Sequence, residues 1–310
     1  MANIREVKRK SIGIIRKIIS KLQSLNLKQY YFEYFIILMN AMLRGSILYA
    51  ADMYYELKET ELRQIERIEE SYMRKVMKTT KGCPITNLYL ELGQIPARYE
   101  IIKMRLLFLK YILEQPKESN LRKMLSLQLE KPSPGDWANT CLKDLKNINL
   151  QLTLEEIRTM SKKNYLKLLK EKIKTTSLQY LLKKRGSKGS EIEYSCIGMA
   201  EYLQPYNKYL TIEEKREIFE IRNRMVNIPA NFKSKSEEKC KCGAVEDMSH
   251  IYECEIWSKN NQLKLEYNKI FHGNISEQIL VYRKFRENLD SRNICVEQSH
   301  PCGQIDTRDK

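Results

Sequence analysis

The sequence predicts a mainly α, multi-helical protein with one small separate module near its C-terminal end. Three observations carry that expectation. Glycine (11) and proline (8) are scarce among 310 residues, so little punctuates the chain. Lys, Glu, Leu and Ile dominate, and these residues lose little on entering a helix. Apolar positions recur at steps of three and four, the spacing that puts side chains on one helix face.

Residues 1–28 form a basic segment carrying Lys8, Arg9, Lys10, Arg16, Lys17 and Lys21. It lacks the uninterrupted apolar stretch of a secretory signal, while sharing the basic, amphipathic character of a mitochondrial presequence. Region 29–95 begins with Tyr30, Tyr31, Phe32, Tyr34, Phe35, Ile36, Ile37 and Leu38, which predict a buried helix apolar on most sides. Lys58 to Lys78 reads as an amphipathic helix. Leu62, Ile65, Ile68, Tyr72 and Val76 form its core stripe, and Arg63, Glu66, Arg67, Glu70 and Arg74 lie between. Glu66, Glu69 and Glu70 are expected on a solvated face, pairing with those cations at i,i+4 spacing. Gly82 and Pro84 break the helix, and a short one follows from Pro84 to Gly93.

Region 96–190 opens at Pro96 with a broad apolar face: Ile101, Ile102, Met104, Leu106, Leu107, Leu109, Ile112 and Leu113. A helix near 120–130 follows. Lys131 to Asp136 is a turn, and Trp137 starts the next helix. Thr153 and Glu156 fit a capping box. Ser161 to Lys188 is lysine-rich over a core stripe of Tyr165, Leu168, Leu169, Ile173, Leu178, Leu181 and Leu182, and residues 186–190 read as a linker. In region 191–232, Thr211 and Glu214 make a second capping box. Module 233–258 is followed by helices within 259–292, near 256–270 and 276–290, and by a disordered tail at 293–310.

Lys and Arg number 55 against 39 Asp and Glu, a formal net charge of +16. That balance favours a polyanionic partner, nucleic acid before an anionic membrane surface. No apolar run reaches the ~18 residues of a membrane span. Without a signal sequence the eight cysteines are expected to be reduced rather than paired.

Three of those cysteines and one of three histidines fall within residues 240–254, in the pattern Cys240-x-Cys242-x7-His250-x3-Cys254. Three thiolates and one imidazole complete a tetrahedral zinc shell. Gly243 lets the backbone fold back around the metal, and His250 and Cys254, four apart, share one helix face. Four protein ligands make one structural Zn²⁺ rather than a catalytic one. Cys295, His300 and Cys302 lack a fourth ligand.

With Gly243 after the second cysteine and Trp257 after the last, this pattern resembles the C-terminal zinc knuckle of non-LTR (LINE-like) retrotransposon reverse transcriptases, with the final spacing one residue shorter than usual there. Leu43-Arg44-Gly45-Ser46-Ile47-Leu48-Tyr49-Ala50-Ala51, then Glu66-Arg67-Ile68-Glu69 and Arg74-Lys75, resembles the thumb of these enzymes. Leu90 to Tyr99 resembles the segment linking thumb to C-terminal helices, and Lys131 to Trp137 also has the look of these elements. The resemblance spans roughly residues 30–290, making 29–95 thumb-like, 96–190 a helical connector and 233–258 a zinc knuckle. It implies RNA or DNA as partner, a catalytic reverse transcriptase core as a second partner, and a nuclear setting.

Polymerase chemistry needs clustered aspartates around two metal ions. The seven aspartates, Asp52, Asp136, Asp144, Asp247, Asp290, Asp306 and Asp309, include no adjacent pair. The expected role is therefore non-catalytic nucleic-acid binding by a region truncated or detached from its polymerase core. The candidate contacts are Arg63, Arg67, Arg74, Lys75 and Lys78 on the first amphipathic helix. Lys162, Lys163, Lys167, Lys170, Lys174, Lys183, Lys184 and Arg185 follow on the lysine-rich helix. Tyr252 and Trp257 are candidates for stacking on unpaired bases. The alternative is a helical protein-interaction scaffold, marked by exposed apolar surface around Tyr30 to Leu38.

Overall fold

A computed structural model describes residues 9–10, 12–18, 20, 32–53, 56–79, 83–185, 211–222, 242–244, 250, 277, 280–281 and 283–284. Among the described residues the regular elements are helices and no strand occurs, so the mainly α class holds. No helix among them is long and apolar enough to cross a membrane. The chain forms two compact units, Met1–Glu191 with Gly198–Ile212, and Ile192–Ile197 with Glu213–Lys310. The expected linker at 186–190, the helix near 256–270 and the tail at 293–310 lie outside the described residues.

Helix α1 (Phe32–Leu38) runs into a π-helical segment, Met39–Arg44, and on into α2 (Gly45–Ile47). Phe35, Met39, Leu43 and Ile47 make one buried stripe. The expectation of burial on most sides is corrected here, because Tyr34 and Ile37 are about half exposed, at 50% and 51%. The stripe packs toward α3 (Glu59–Met77), whose Tyr72 hydroxyl donates to the Phe35 carbonyl at 2.9 Å.

Helix α3 ends at Lys78, which takes the left-handed conformation at φ 51°. That places its amide on the Lys75 carbonyl and the Thr79 amide on the Arg74 carbonyl. Pro84 caps α4 (Ile85–Glu91), whose end is a Schellman turn. Gly93 sits at φ 59°, its amide bonds to Leu90, and the Gln94 amide bonds to Tyr89. Only a residue without Cβ adopts that φ at no cost.

Helix α5 (Ala97–Glu114) is apolar around most of its circumference and sits at the centre of the first unit. Around it pack α3, α6 (Asn120–Glu130), α7 (Trp137–Asn147), α8 (Leu154–Thr159), α9 (Lys162–Arg185) and a 3₁₀ turn at Ala51–Met53. Leu106, Leu109, Ile112 and Leu113 of α5 meet Leu125, Cys141, Leu145, Ile157, Tyr165, Leu169 and Ile173 in one core. Trp137 opens α7 where expected, donating its indole N–H to the Asp52 carbonyl at 2.8 Å. The Thr153–Glu156 capping box is formed: each residue's backbone amide bonds to the other's side chain, at 2.7 and 3.2 Å. Lys110 is 2% exposed. Its ammonium reaches the carbonyls of Ile157 at 2.8 Å and Met160 at 2.6 Å, neutralising the C-terminal end of α8.

Helix α10 (Ile212–Arg222), which belongs to the second unit from Glu213 onward, begins directly after Thr211, as the second capping signal predicts. Glu213 and Glu214 in its first turn complement the helix dipole. Residues 277, 280, 281, 283 and 284 are helical, within the segment expected at 276–290.

Candidate nucleic-acid interface and metal centre

The segments 43–51, 66–69 and 90–99 are bonded to one another. Arg44 Nε donates to Glu69 at 2.7 Å, its Nη2 reaches the Ile95 carbonyl, and Nη1 bonds Asn40 at 3.2 Å. Glu69 also accepts from the Tyr89 hydroxyl and the Ala97 amide, both at 3.1 Å. Burial raises the Glu69 carboxyl above its ordinary value, and the Arg44 charge with the Arg44 and Tyr89 hydrogen bonds opposes that rise. One turn earlier, Glu66 takes Arg98 Nε at 2.5 Å. Arg98 also bonds Glu59, at 2.9 Å, and covers the Tyr180 ring at 4.8 Å.

These contacts correct the expectation that Glu66 and Glu69 lie on a solvated face. They are 2% and 0% exposed. The buried arc of α3 is wider than its apolar stripe, because arginines from distant segments neutralise two of its carboxylates.

The remaining face of α3 is exposed and basic. Arg63 is paired with Glu59 at 2.9 Å. Arg67, Lys75 and Lys78 are exposed and form no ion pair among the described residues. Arg74 is partly buried and donates to the Cys83 carbonyl at 2.8 Å.

On α9, Lys163, Lys167, Lys170 and Lys174 follow at spacings of four, three and four. They make one stripe about 17 Å long at 1.5 Å per residue. The stripe lies opposite the buried Tyr165, Leu169 and Ile173. Lys162, at the helix start, is also exposed. None of these five lysines, nor exposed Lys183, forms an ion pair among the described residues. Lys184 is half-buried over the Tyr180 ring. Burial first, and the nearby Arg63 charge next, pull its ammonium below the ordinary value. Arg185 ends α9, its side chain outside those described, as are Tyr252 and Trp257.

Of the expected zinc ligands, Cys242 and His250 are described, whereas Cys240 and Cys254 are not. Cys242 Sγ and His250 Nε2 lie 3.3 Å apart. Two ligands on one tetrahedral zinc stand about 3.5 Å apart, given Zn–S near 2.3 Å and Zn–N near 2.0 Å. Gly243 has φ 90°, a conformation that glycine adopts without a Cβ clash. Among the described residues no group of three or more candidate ligands converges. The pair that is described fits zinc in both spacing and donor chemistry.

Sequence reasoning missed Arg98, Arg105, Lys110 and Asp144. Each is a charged residue inside an apolar helical pattern. That interruption was the available signal, but it names no partner. Arg105 and Asp144 pair at 4% and 8% side-chain exposure. Comparison with family models, curated proteins and solved structures returns no match to this chain.

Proposed function

We propose that this chain is a non-catalytic nucleic-acid-binding protein, of the kind that forms the thumb-to-knuckle region of non-LTR retrotransposon reverse transcriptases. The observation that carries the binding is the α9 stripe of Lys163, Lys167, Lys170 and Lys174, exposed or partly exposed and without counter-ions among the described residues. Some other surface cations of the first unit are neutralised locally, as in Arg63–Glu59, Lys143–Glu56 and Arg158–Glu155. An uncompensated line of ammonium groups suits a polymer of regularly spaced phosphates. Arg67, Lys75 and Lys78 extend the basic surface on α3, and a Cys240, Cys242, His250 and Cys254 zinc knuckle would supply a second contact. The retroelement assignment is supported by the family-like segments that meet around Arg44 and Glu69.

The test is binding of fluorescent RNA and DNA oligomers across a salt series. Affinity should fall steeply as counter-ions are released on binding, by roughly 10³–10⁵ for six to ten phosphate contacts between 50 and 200 mM salt. An affinity indifferent to a fourfold rise in salt overturns the reading.

One observation favours a second reading, a helical scaffold that docks another protein. Tyr34, Ile37 and Met42 are exposed by 50%, 51% and 45%, an apolar surface around α1. A chain that stays monomeric at high concentration and binds no hydrophobic dye would count against it.

A further inference from the structure

One feature of the first unit takes no part in binding along the basic helices. A cleft of about 380 Å³ opens between α3, α5 and α7, within the size range of small-molecule sites. Leu57, Leu62, Tyr99 and Ile102 supply its apolar walls. Three ion pairs tie its borders together: Glu56 with Lys143 at 2.7 Å, Glu59 with Arg98 at 2.9 Å, and Asp144 with Arg105. The lining charges cancel, so the cleft has no bias toward a charged ligand.

Asp144 is 5% exposed and lines this cleft. One of its carboxylate oxygens takes Arg105 Nη1. The other accepts no hydrogen bond among the described residues. That oxygen is not sealed away from solvent, and a ligand N–H seated in the cleft would donate to it. Burial also raises this carboxyl to about 6, a perturbation typical of functional clefts.

We propose that the cleft seats an unpaired nucleobase bearing an exocyclic amino group, with that amine donating to Asp144 and the ring held between Leu62, Ile102 and Tyr99. The proposal rests on the nucleic-acid reading. A neutral planar heterocycle matches the cancelled charge and apolar walls. A carboxylate accepts from an exocyclic amine as it does from cytosine N4. Single-stranded bases are splayed into protein pockets in this way.

The experiment titrates the full chain with cytidine and with uridine by calorimetry, in wild type and in Asp144→Asn and Leu62→Trp. Leu62→Trp fills the cleft without touching the ion pair, and far-ultraviolet dichroism checks that both variants fold. Saturable cytidine binding, stronger than that of uridine, weakened at least tenfold in Asp144→Asn and abolished in Leu62→Trp is expected. Absence of saturable cytidine binding, or binding unchanged in the variants, overturns the proposal. Oligonucleotide binding in the same samples separates the two failures. If salt-dependent binding persists, only the cleft assignment falls; if it is absent too, the wider reading falls with it.

Discussion

Arg44 and Glu69 form an ion pair at 2.7 Å, with side-chain exposures of 10% and 0%. Removing one partner leaves the other charged and buried, which costs about 3–5 kcal/mol. Arg44→Met or Glu69→Leu should therefore lower the stability of the first unit by that order in urea unfolding. The double variant Arg44→Met/Glu69→Leu should lose less than the sum of the two single variants, because no lone buried charge remains. It should not regain wild-type stability, because the Tyr89 hydroxyl and Ala97 amide still lose their acceptor. A loss in the double variant equal to that sum would show that the pair is not coupled.

The α9 lysines make a separate, surface prediction. Lys163, Lys167, Lys170 and Lys174 changed together to Gln should leave the fold intact. The slope of log affinity against log salt should fall by about 3, since each phosphate no longer neutralised takes away roughly 0.7–0.9. Arg63→Gln should change the slope less, since Arg63 already has Glu59 as counter-ion.

For the metal, native mass spectrometry should find about one zinc per chain. Cys242→Ser and His250→Ala should each abolish it, because three ligands no longer close the shell. Purified wild-type chain that carries no zinc and takes up none would mean that no zinc knuckle forms.

Asp144 makes stability depend on pH. Its carboxyl lies near 6 in the folded chain, above the ordinary 3.8, because burial outweighs the attraction of Arg105. A raised folded value means the native state binds this proton more tightly than the unfolded state. The contribution is fully present below about pH 4 and is lost as pH rises through 6, by about 3 kcal/mol at 1.36 kcal/mol per unit. The difference in unfolding free energy between wild type and Asp144→Asn should therefore shift in favour of wild type as pH falls from 7 to 4. A difference that does not vary with pH would contradict this.

Lys110→Met keeps the apolar stem of the side chain but strips three carbonyls at the end of α8 of their charged donor. The expected loss is about 2–3 kcal/mol by thermal unfolding. Lys110→Arg should not restore it, because a planar fork does not fit the space of a point charge.

The helical frame was legible in the sequence where local chemistry decides it. The Lys131–Asp136 turn, the Thr153–Glu156 cap and the extent of α9 each rest on neighbours in the chain. The buried charges were not legible. Glu66 and Glu69 read as surface residues because periodicity assigns charge to the outside, and their partners Arg98 and Arg44 lie 32 and 25 positions away. Arg105 and Asp144 escaped for the same reason. The basic candidates were legible as residue types. The Arg63 counter-ion, Glu59, is a local i,i+4 neighbour, whereas the tying of Arg74 to the Cys83 carbonyl depended on packing. For the zinc motif, spacing named four ligands, and the described residues bring together Cys242 and His250.

Arg44 ends a π-helical segment, which governs how this part of the chain tolerates changes in length. A π-helical stretch accommodates a residue beyond what α-helical winding allows. Deleting one residue between Met39 and Leu43 would let the segment rewind as an α-helix with α1 close to its present rotation relative to Arg44, because α-helical winding covers the same angle with about one residue fewer. Phe35 would stay on the buried stripe, and Tyr34 and Ile37 would stay outside it. Single-residue deletions here should thus be tolerated better than a deletion between Phe35 and Leu38, which would turn the preceding residues by about 100° about the helix axis, so the π-helical segment acts as a length buffer for the N-terminal side of the unit.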